Sequence, residues 1–280
     1  MRTLLRLACV SAAVAWVMSC QQGSGLMPSD QTVYAGGGEA GAPQSSAPGG
    51  AGSAEGGGGE AGDPSPPDPP PDLQLGLVAY YPLRGDAQDQ SGYGRHGDIQ
   101  GATWCPDRFG TEHSAACFDW HGYVVASGTG LPEGDSPRTV TAWVSPDAEG
   151  SDPYKGNAFT SWGSGDCVGK MFGLGNYLNK LSLWVGCADF QSSLALPLGQ
   201  WSFVAVRWEP PQVTVWVDDS MDQKNSEYID TAPGKLWMGV ESINDGSTFR
   251  HWYKGSLSEL RIYNRALSDT EIGLLKAGEQ

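Results

Sequence analysis

Residues 201–219 read WSFVAVRWEPPQVTVWVDD. Val213, Val215 and Val217 fall on one side of this stretch, and Gln212, Thr214, Trp216 and Asp218 on the other. A period of two marks a strand with one buried face. WSFVAVRW (201–208) is a second apolar run, set apart by Pro210 and Pro211. The same texture recurs in RTVTAWVSP (138–146), KLSLWVG (180–186), KLWMGVE (235–241) and GSLSELRIYN (255–264). Gly, Pro, Asn and Asp separate these runs. Many short strands with turn signals between them predict an all-β sandwich or barrel. One helix is expected. Ser268 precedes it and Glu271 follows three residues on, a capping-box spacing, before Ile272, Leu274 and Leu275.

The N-terminus is of another kind. Arg2 and Arg6 precede a short apolar run, Leu7 to Met18. A membrane span needs roughly 20 apolar residues, so the run reads as a secretory signal. VMSCQQ (17–22) resembles the lipobox of bacterial lipoproteins, although Met18 is a less usual residue at its place. The resemblance implies cleavage before Cys20 and lipid on its thiol. The alternative is an ordinary signal peptide with an incidental cysteine. Gln21, rather than Asp, follows Cys20; by resemblance to the sorting rule of enteric bacteria this favours the outer membrane. From Gln21 to about Asp72 the chain is Gly, Ala, Ser, Pro and Glu, a composition that cannot bury enough apolar surface to order itself. A Gly-rich coil of ~40 residues spans ~35 Å. The expected layout is a lipoprotein signal peptide at 1–19, a lipidated, disordered linker at 20–73, and one domain at 74–280, in the bacterial cell envelope with membrane contact through lipid only.

Within that domain, GLVAYYPLRGDAQDQSGYGRHGDIQGATW (76–104), DRFGTEHSAACFDWHGYV (107–124), TVTAWVSP (139–146), WSFVAVRW with VTVWVDD, and YKGSLSELRIYNRALSDTEI (253–272) follow in order. Together they resemble a laminin-G-like domain of the bacterial concanavalin A-like lectin/glucanase type. The resemblance implies two antiparallel sheets in a jelly-roll sandwich, and kinship with pentraxins and legume-type lectins. It also puts the first and last strands in one sheet, with Val78 and Tyr80 as core neighbours of Leu260 and Ile262.

Six cysteines are present. Setting aside Cys9 and Cys20 leaves Cys105, Cys117, Cys167 and Cys187, an even remainder that suggests disulfides in an exported chain. Four cysteines allow three connectivities. TWCPDRFG and SAACFDW should be adjacent strands around a turn, and Cys167 and Cys187 flank a hairpin that turns near Asn176 to Asn179. The expected pairs are Cys105–Cys117 and Cys167–Cys187. A zinc site is the rival, but there is no CxxC and no paired His spacing.

No nucleophile motif accompanies His96, His113, His121 or His251, and GxSxG, HExxH and a P-loop are absent. The Glu-x-Asp-x-Glu strand of the related β-glucanases, and the Arg, Gln, His and Tyr motifs of polysaccharide lyases, are also missing. Catalytic residues are therefore assigned to none. GDAQDQSGYGRHGD (85–98) is rich in the oxygen donors that calcium prefers. In many domains of the resembled family such a loop, an Asp on the FDG strand and an acid on the closing strand surround one structural calcium. Asp89, Asp119 and Glu259 match those places. Here FDG is FDWHG, and the usual DE pair is Ser258–Glu259. The plainer reading, that Gly92, Gly94 and Gly97 shape a turn and the acids are solvated, stays open beside calcium.

By the same resemblance, GVESINDGSTF (239–249) corresponds to a pentraxin loop that carries calcium ligands, which makes Glu241, Asn244 and Asp245 candidate ligand contacts. An Asn-Asp-Gly turn is the alternative. Among the 11 Trp, Trp143, Trp201, Trp208 and Trp216 show the alternation of packing. Trp120, Trp162 and Trp252 lie in or near loops and are candidate platforms for sugar rings. A net charge of −15 argues against nucleic acid and anionic lipid. The resulting expectation is an envelope-anchored binding module for a glycan or surface protein, with calcium as a structural ion. The alternatives are a glycoside hydrolase or polysaccharide lyase of the same fold, or an adhesive or structural surface domain.

Overall fold

Val213, Val215 and Val217 lie in the interior, whereas Trp216 packs on the opposite face, so the period of two is realised in space. The computed structural model describes residues 71–149, 156–165, 169–186, 189–226 and 228–278. The signal, Cys20, nearly all of the linker and the Cys167–Cys187 pair lie outside the described residues.

One antiparallel sheet contains β1 (Leu77–Tyr81), β3 (Thr103–Cys105), β4 (Ala115–Asp119), β6 (Arg138–Pro146), β11 (Ser202–Glu209), β12 (Gln212–Val217), β13 (Ser220–Asn225) and β17 (Lys254–Tyr263). The other contains β2 (Asp98–Gln100), β5 (Tyr123–Ala126), β7 (Gly156–Gly163), β8 (Met171–Tyr177), β9 (Lys180–Trp184), β10 (Phe190–Ala195) and β14 (Leu236–Met238). A small hairpin, β15 (Glu241–Ile243) and β16 (Thr248–Arg250), adjoins β7 and β14. The fold is the expected two-sheet sandwich.

The core fills the space between the sheets. Val140, Val144, Val206 and Ile262 meet Phe159, Phe172, Leu174 and Met238 there. Fully burying one such side chain contributes about 1.5–3 kcal/mol. A second cluster lies outside the eight-stranded sheet, where α1 (Asp269–Ala277) covers Phe203, Trp216 and Tyr263 with Ile272 and Leu275. Ser268 and Glu271 form the expected capping box, and Gly278 closes the helix in the left-handed conformation.

β17 holds the sheet's centre. It pairs with β6 along one side; on the other, β4 takes its first half and β1 its second. The changeover falls at Glu259, a bulge with a φ of +52°. Val78, Leu260 and Ile262 enter the core as expected. Tyr80 does not. It pairs with Arg261 and faces the helix side, where the guanidinium carbon lies 4.1 Å from the ring centroid.

Cys105 and Cys117 are bonded across β3 and β4, with Cα atoms 5.9 Å apart. Their sequence separation of 12 closes a short loop. The Cys105→Ser, Cys117→Ser variant is expected to lose about 3 kcal/mol of unfolding free energy by loop-closure entropy. Urea unfolding checks this; a change below ~1 kcal/mol would contradict it.

Candidate functional site

Alternation along β5 and β14 builds the site. Val124, Ala126, Leu236 and Met238 point into the core, which leaves Tyr123, Val125 and Trp237 on the outer face of the seven-stranded sheet. Asp98 on β2 pairs with Val125 and shares that face. These side chains floor an open groove of about 840 Å³. Residues 127–130 and Glu133 form one wall; Gly234, Lys235 and Asp245 form the other. The walls meet at Gly128, where a Cβ would lie 1.6 Å from the Gly234 carbonyl oxygen.

Two buried arginines hold the first wall from behind. Arg95 Nε donates to the Thr129 carbonyl (2.6 Å) and Nη1 to the Val78 carbonyl (2.5 Å). Arg138 donates to the carbonyls of Pro132, Glu133, Gly134 and Ser136, and to Thr231 Oγ1. Burial lowers its pKa to about 10, against the raising effect of Asp135, so the group stays charged at neutral pH. Trp162 Nε1 adds a second bond to the Pro132 carbonyl (3.0 Å).

An aromatic cluster continues from the floor. Tyr123 lies 5.6 Å from Trp237, 5.3 Å from Phe249 and 6.1 Å from Trp252, centroid to centroid. Phe249 and Trp252 are 5.5 Å apart, and His121 lies 6.3 Å from Trp252. Tyr123, Phe249 and Trp252 are half-buried, the condition that leaves part of a ring open to a ligand.

Polar groups surround the floor. His96 Nδ1 accepts the Asp89 N–H (3.1 Å), which fixes the ring hydrogen on Nε2. Asp98 accepts from Gln100 Nε2 (2.8 Å). Asp245 accepts the Lys235 N–H (3.0 Å) and lies 3.7 Å from the Lys235 ammonium.

Of the expected ligand contacts, Asp245 lines the groove and Trp252 joins its aromatic extension. Asn244 and Asp245 adopt left-handed φ values of 49° and 52°, and form the turn between β15 and β16. Trp162 is a correction. It faces inward on β7, is 1% exposed and packs on Phe172, so no sugar reaches it. Glu241 is a second correction, because it is wholly buried. Its Oε1 accepts from Arg250 Nε at 2.8 Å and its Oε2 pairs with His251, whose ring stacks 4.8 Å from Trp184. Burial alone would raise the Glu241 pKa, but His251 and Arg250 outweigh it and hold the carboxyl below the ordinary range. Trp120, at a φ of +60°, is half-buried and makes no ring contact with the cluster among the described residues.

The expected calcium ligands do not assemble. Asp89 is buried and accepts N–H groups from Tyr80 (3.1 Å), Ser91 (2.9 Å) and Arg95 (3.0 Å). Burial pushes its pKa up, and these bonds outweigh burial to leave it low. Glu259 is ringed by Arg108 (2.7 Å), Arg261 (3.3 Å) and Arg84 (3.6 Å). Burial opposes, and Arg108 and Arg261 produce, its lowered pKa. Asp119 is exposed beside Lys254. Three guanidinium groups thus already neutralise Glu259. Among the described residues no three His, Cys, Asp or Glu side chains group to hold a metal.

Tyr123, Trp237, Phe249, His96 and Lys235 were not anticipated as site residues, and Asp98 was weighed only as an oxygen donor for calcium. The alternation in YVVA (123–126) was the available signal, since it sets a tyrosine opposite the buried Val124 and Ala126.

A family model described as the concanavalin A-like lectin/glucanases superfamily, of the laminin-G type, matches residues 119–273. No curated protein sequence matches the chain. Among solved structures, domain 4 of AbnA, a GH43 extracellular arabinanase from Geobacillus stearothermophilus in complex with arabinotriose, is 20% identical with a TM-score of 0.54. That match covers 70% of this chain and 96% of the arabinanase domain. The binding domain of Botulinum Neurotoxin DC in complex with SialylT is 10% identical with a TM-score of 0.55, over 75% of this chain and 53% of the toxin chain. The binding domain of Paraclostridial Mosquitocidal Protein 1 is 14% identical with a TM-score of 0.55, over 73% and 52%. The chain thus spans about half of each toxin fragment, and at these identities the likeness is one of fold.

Proposed function

The chain belongs to the concanavalin A-like lectin/glucanase superfamily, and we propose on that footing that it is a carbohydrate-binding module. Fold alone does not assign this role. The observation that carries it is the groove: an aromatic floor of Tyr123 and Trp237, ringed by polar groups, with one wall held by buried arginines. Sugar rings present apolar C–H faces with hydroxyls at their edges. The half-buried ring of Tyr123 suits the faces, and His96 Nε2, Asp98 and Lys235 suit the edges. A held wall lowers the ordering cost of binding. The arabinotriose bound to the arabinanase domain and the sialylated ligand of the toxin domain support the class of ligand without naming it. On this reading the lipid at Cys20 and the Gly- and Pro-rich linker hold the module at the cell envelope, with the sandwich clear of the lipid surface.

The test is binding of the full-length protein to an oligosaccharide array, then calorimetry on the positives. Tyr123→Ala is expected to weaken binding about tenfold or more while the thermal midpoint confirms folding, as removal of an aromatic anchor does. Unchanged affinity would remove the groove from the binding surface.

A further inference from the structure

Resting on that reading, we infer that the groove takes uncharged or amine-bearing sugars and rejects carboxylated or sulfated ones. Its lining carries three carboxylates, Asp98, Glu133 and Asp245, against one permanent cation, Lys235. That cation is already engaged. The Lys235 ammonium lies 3.7 Å from Asp245 and 5.9 Å from the Trp237 ring centroid. Among the described residues no cationic side chain pairs with Asp98 or Glu133. His96 spends its acceptor nitrogen on the Asp89 N–H and offers the groove an uncharged N–H. A ligand in the groove therefore meets two exposed carboxylates with no paired counter-ion, while the guanidinium groups of Arg95 and Arg138 lie buried behind the wall and are spent on its carbonyls.

The chemistry follows directly. Sugar hydroxyls donate to carboxylates and accept from an imidazole N–H, so a neutral chain satisfies every group in the lining. An ammonium on the sugar gains attraction from Asp98 and Glu133. A uronate or sulfate within 4–6 Å of either carboxylate is repelled, and expulsion of water from the groove strengthens that repulsion. Like-charge juxtaposition is how binding sites discriminate against the wrong partner. The backbones of the first wall and of the floor are held, so Glu133 and Asp98 cannot swing clear together. Glu133 sits on the wall bonded to Arg138, and Asp98 on a strand paired with β5.

The experiment uses the full-length protein on an array of neutral, amine-bearing, carboxylated and sulfated oligosaccharides, followed by titration of matched galacto- and galacturono-oligosaccharides. The expected result is binding confined to the neutral and amine-bearing sets. The Asp98→Asn, Glu133→Gln variant should narrow the neutral-over-acidic preference by roughly tenfold, with more change at low than at high salt. Both positions are exposed, and an unchanged thermal midpoint confirms folding. A control, Glu112→Gln with Glu209→Gln, removes the same charge elsewhere on the surface and should leave the preference intact. Acidic sugars bound as well as neutral ones would overturn the inference while leaving carbohydrate binding standing. So would a control that relaxes the preference as much as the groove variant, since the overall charge of −15 would then be the cause. No binding to any sugar would overturn both.

Discussion

Arg138→Met is expected to reduce the free energy of unfolding by about 3–5 kcal/mol and to abolish carbohydrate binding. The guanidinium is wholly buried and donates to four backbone carbonyls and the Thr231 hydroxyl. Methionine fills the space of the stem and supplies no donor. Each buried acceptor left without a partner costs about 1–3 kcal/mol, and removing one member of a buried charged network costs about 3–5 kcal/mol in all. Residues 132–136 would relieve part of that cost by opening to water, which removes the groove wall that carries Glu133. Arg138→Lys should recover only a fraction, because an ammonium has three donors and cannot reproduce the planar fork. Urea unfolding by tryptophan fluorescence, with binding measured well below the midpoint, separates the two effects. A folded Arg138→Met protein with unchanged affinity would show that the wall is dispensable.

Asp89→Ala follows in size, with an expected loss of about 3 kcal/mol. Its carboxylate accepts the N–H groups of Tyr80, Ser91 and Arg95, and hydrogen bonds to a charged group contribute about 1.5–3 kcal/mol each, less where water replaces the acceptor. The pH dependence has a definite sign. The folded-state pKa lies below the unfolded value, so this stability is complete above roughly pH 5 and drains away as pH falls through the folded pKa. Glu259 acts in the same sense, and so does Glu271, held at about 2 by its bonds from Arg265 and Ser268. Thermal midpoints should therefore decline from about pH 5 toward pH 2, and Asp89→Asn should flatten that decline. An identical acid slope in the variant would refute the assignment. Calcium and chelator should leave the midpoint unmoved, because Asp89, Asp119 and Glu259 each have other partners. A calcium-dependent rise of several degrees would restore the metal reading.

The fold was legible because its signals are local and repeat. The valines of β12, the run at 138–146 and the capping box at Ser268 each declare an element from a few adjacent residues. The hairpin turn was legible too, since Leu178 and Asn179 take left-handed φ values of 51° and 57° between β8 and β9. The site was less legible, because its parts come from β2, β5, β14, two loops and a hairpin turn, and nothing in their spacing announces that they meet. Trp162 shows the difficulty. It stands near a strand end, where sequence suggests a loop, and only the pairing of β7 with β8 turns it inward. Glu241 and Glu259 show another. An acid in a loop or closing strand reads as a ligand until its arginines arrive from elsewhere in the chain, in the case of Arg108 151 residues away.

The position of β17 bears on how the protein is made. The strand that joins β6, β4 and β1 is the last of the described strands, and it leaves the ribosome after all of them. Until it appears, β1 lacks its partner and the eight-stranded sheet has no middle. Pairings of such sequence separation form slowly, since much of the chain must be gathered before any contact rewards it. A chain of this kind cannot close its eight-stranded sheet before β17 has been made. The architecture thus delays completion of the sheet until β17 is available, and loss of residues 254–263 would leave β6 with its neighbours, the β3–β4 pair and β1 with nothing to join them.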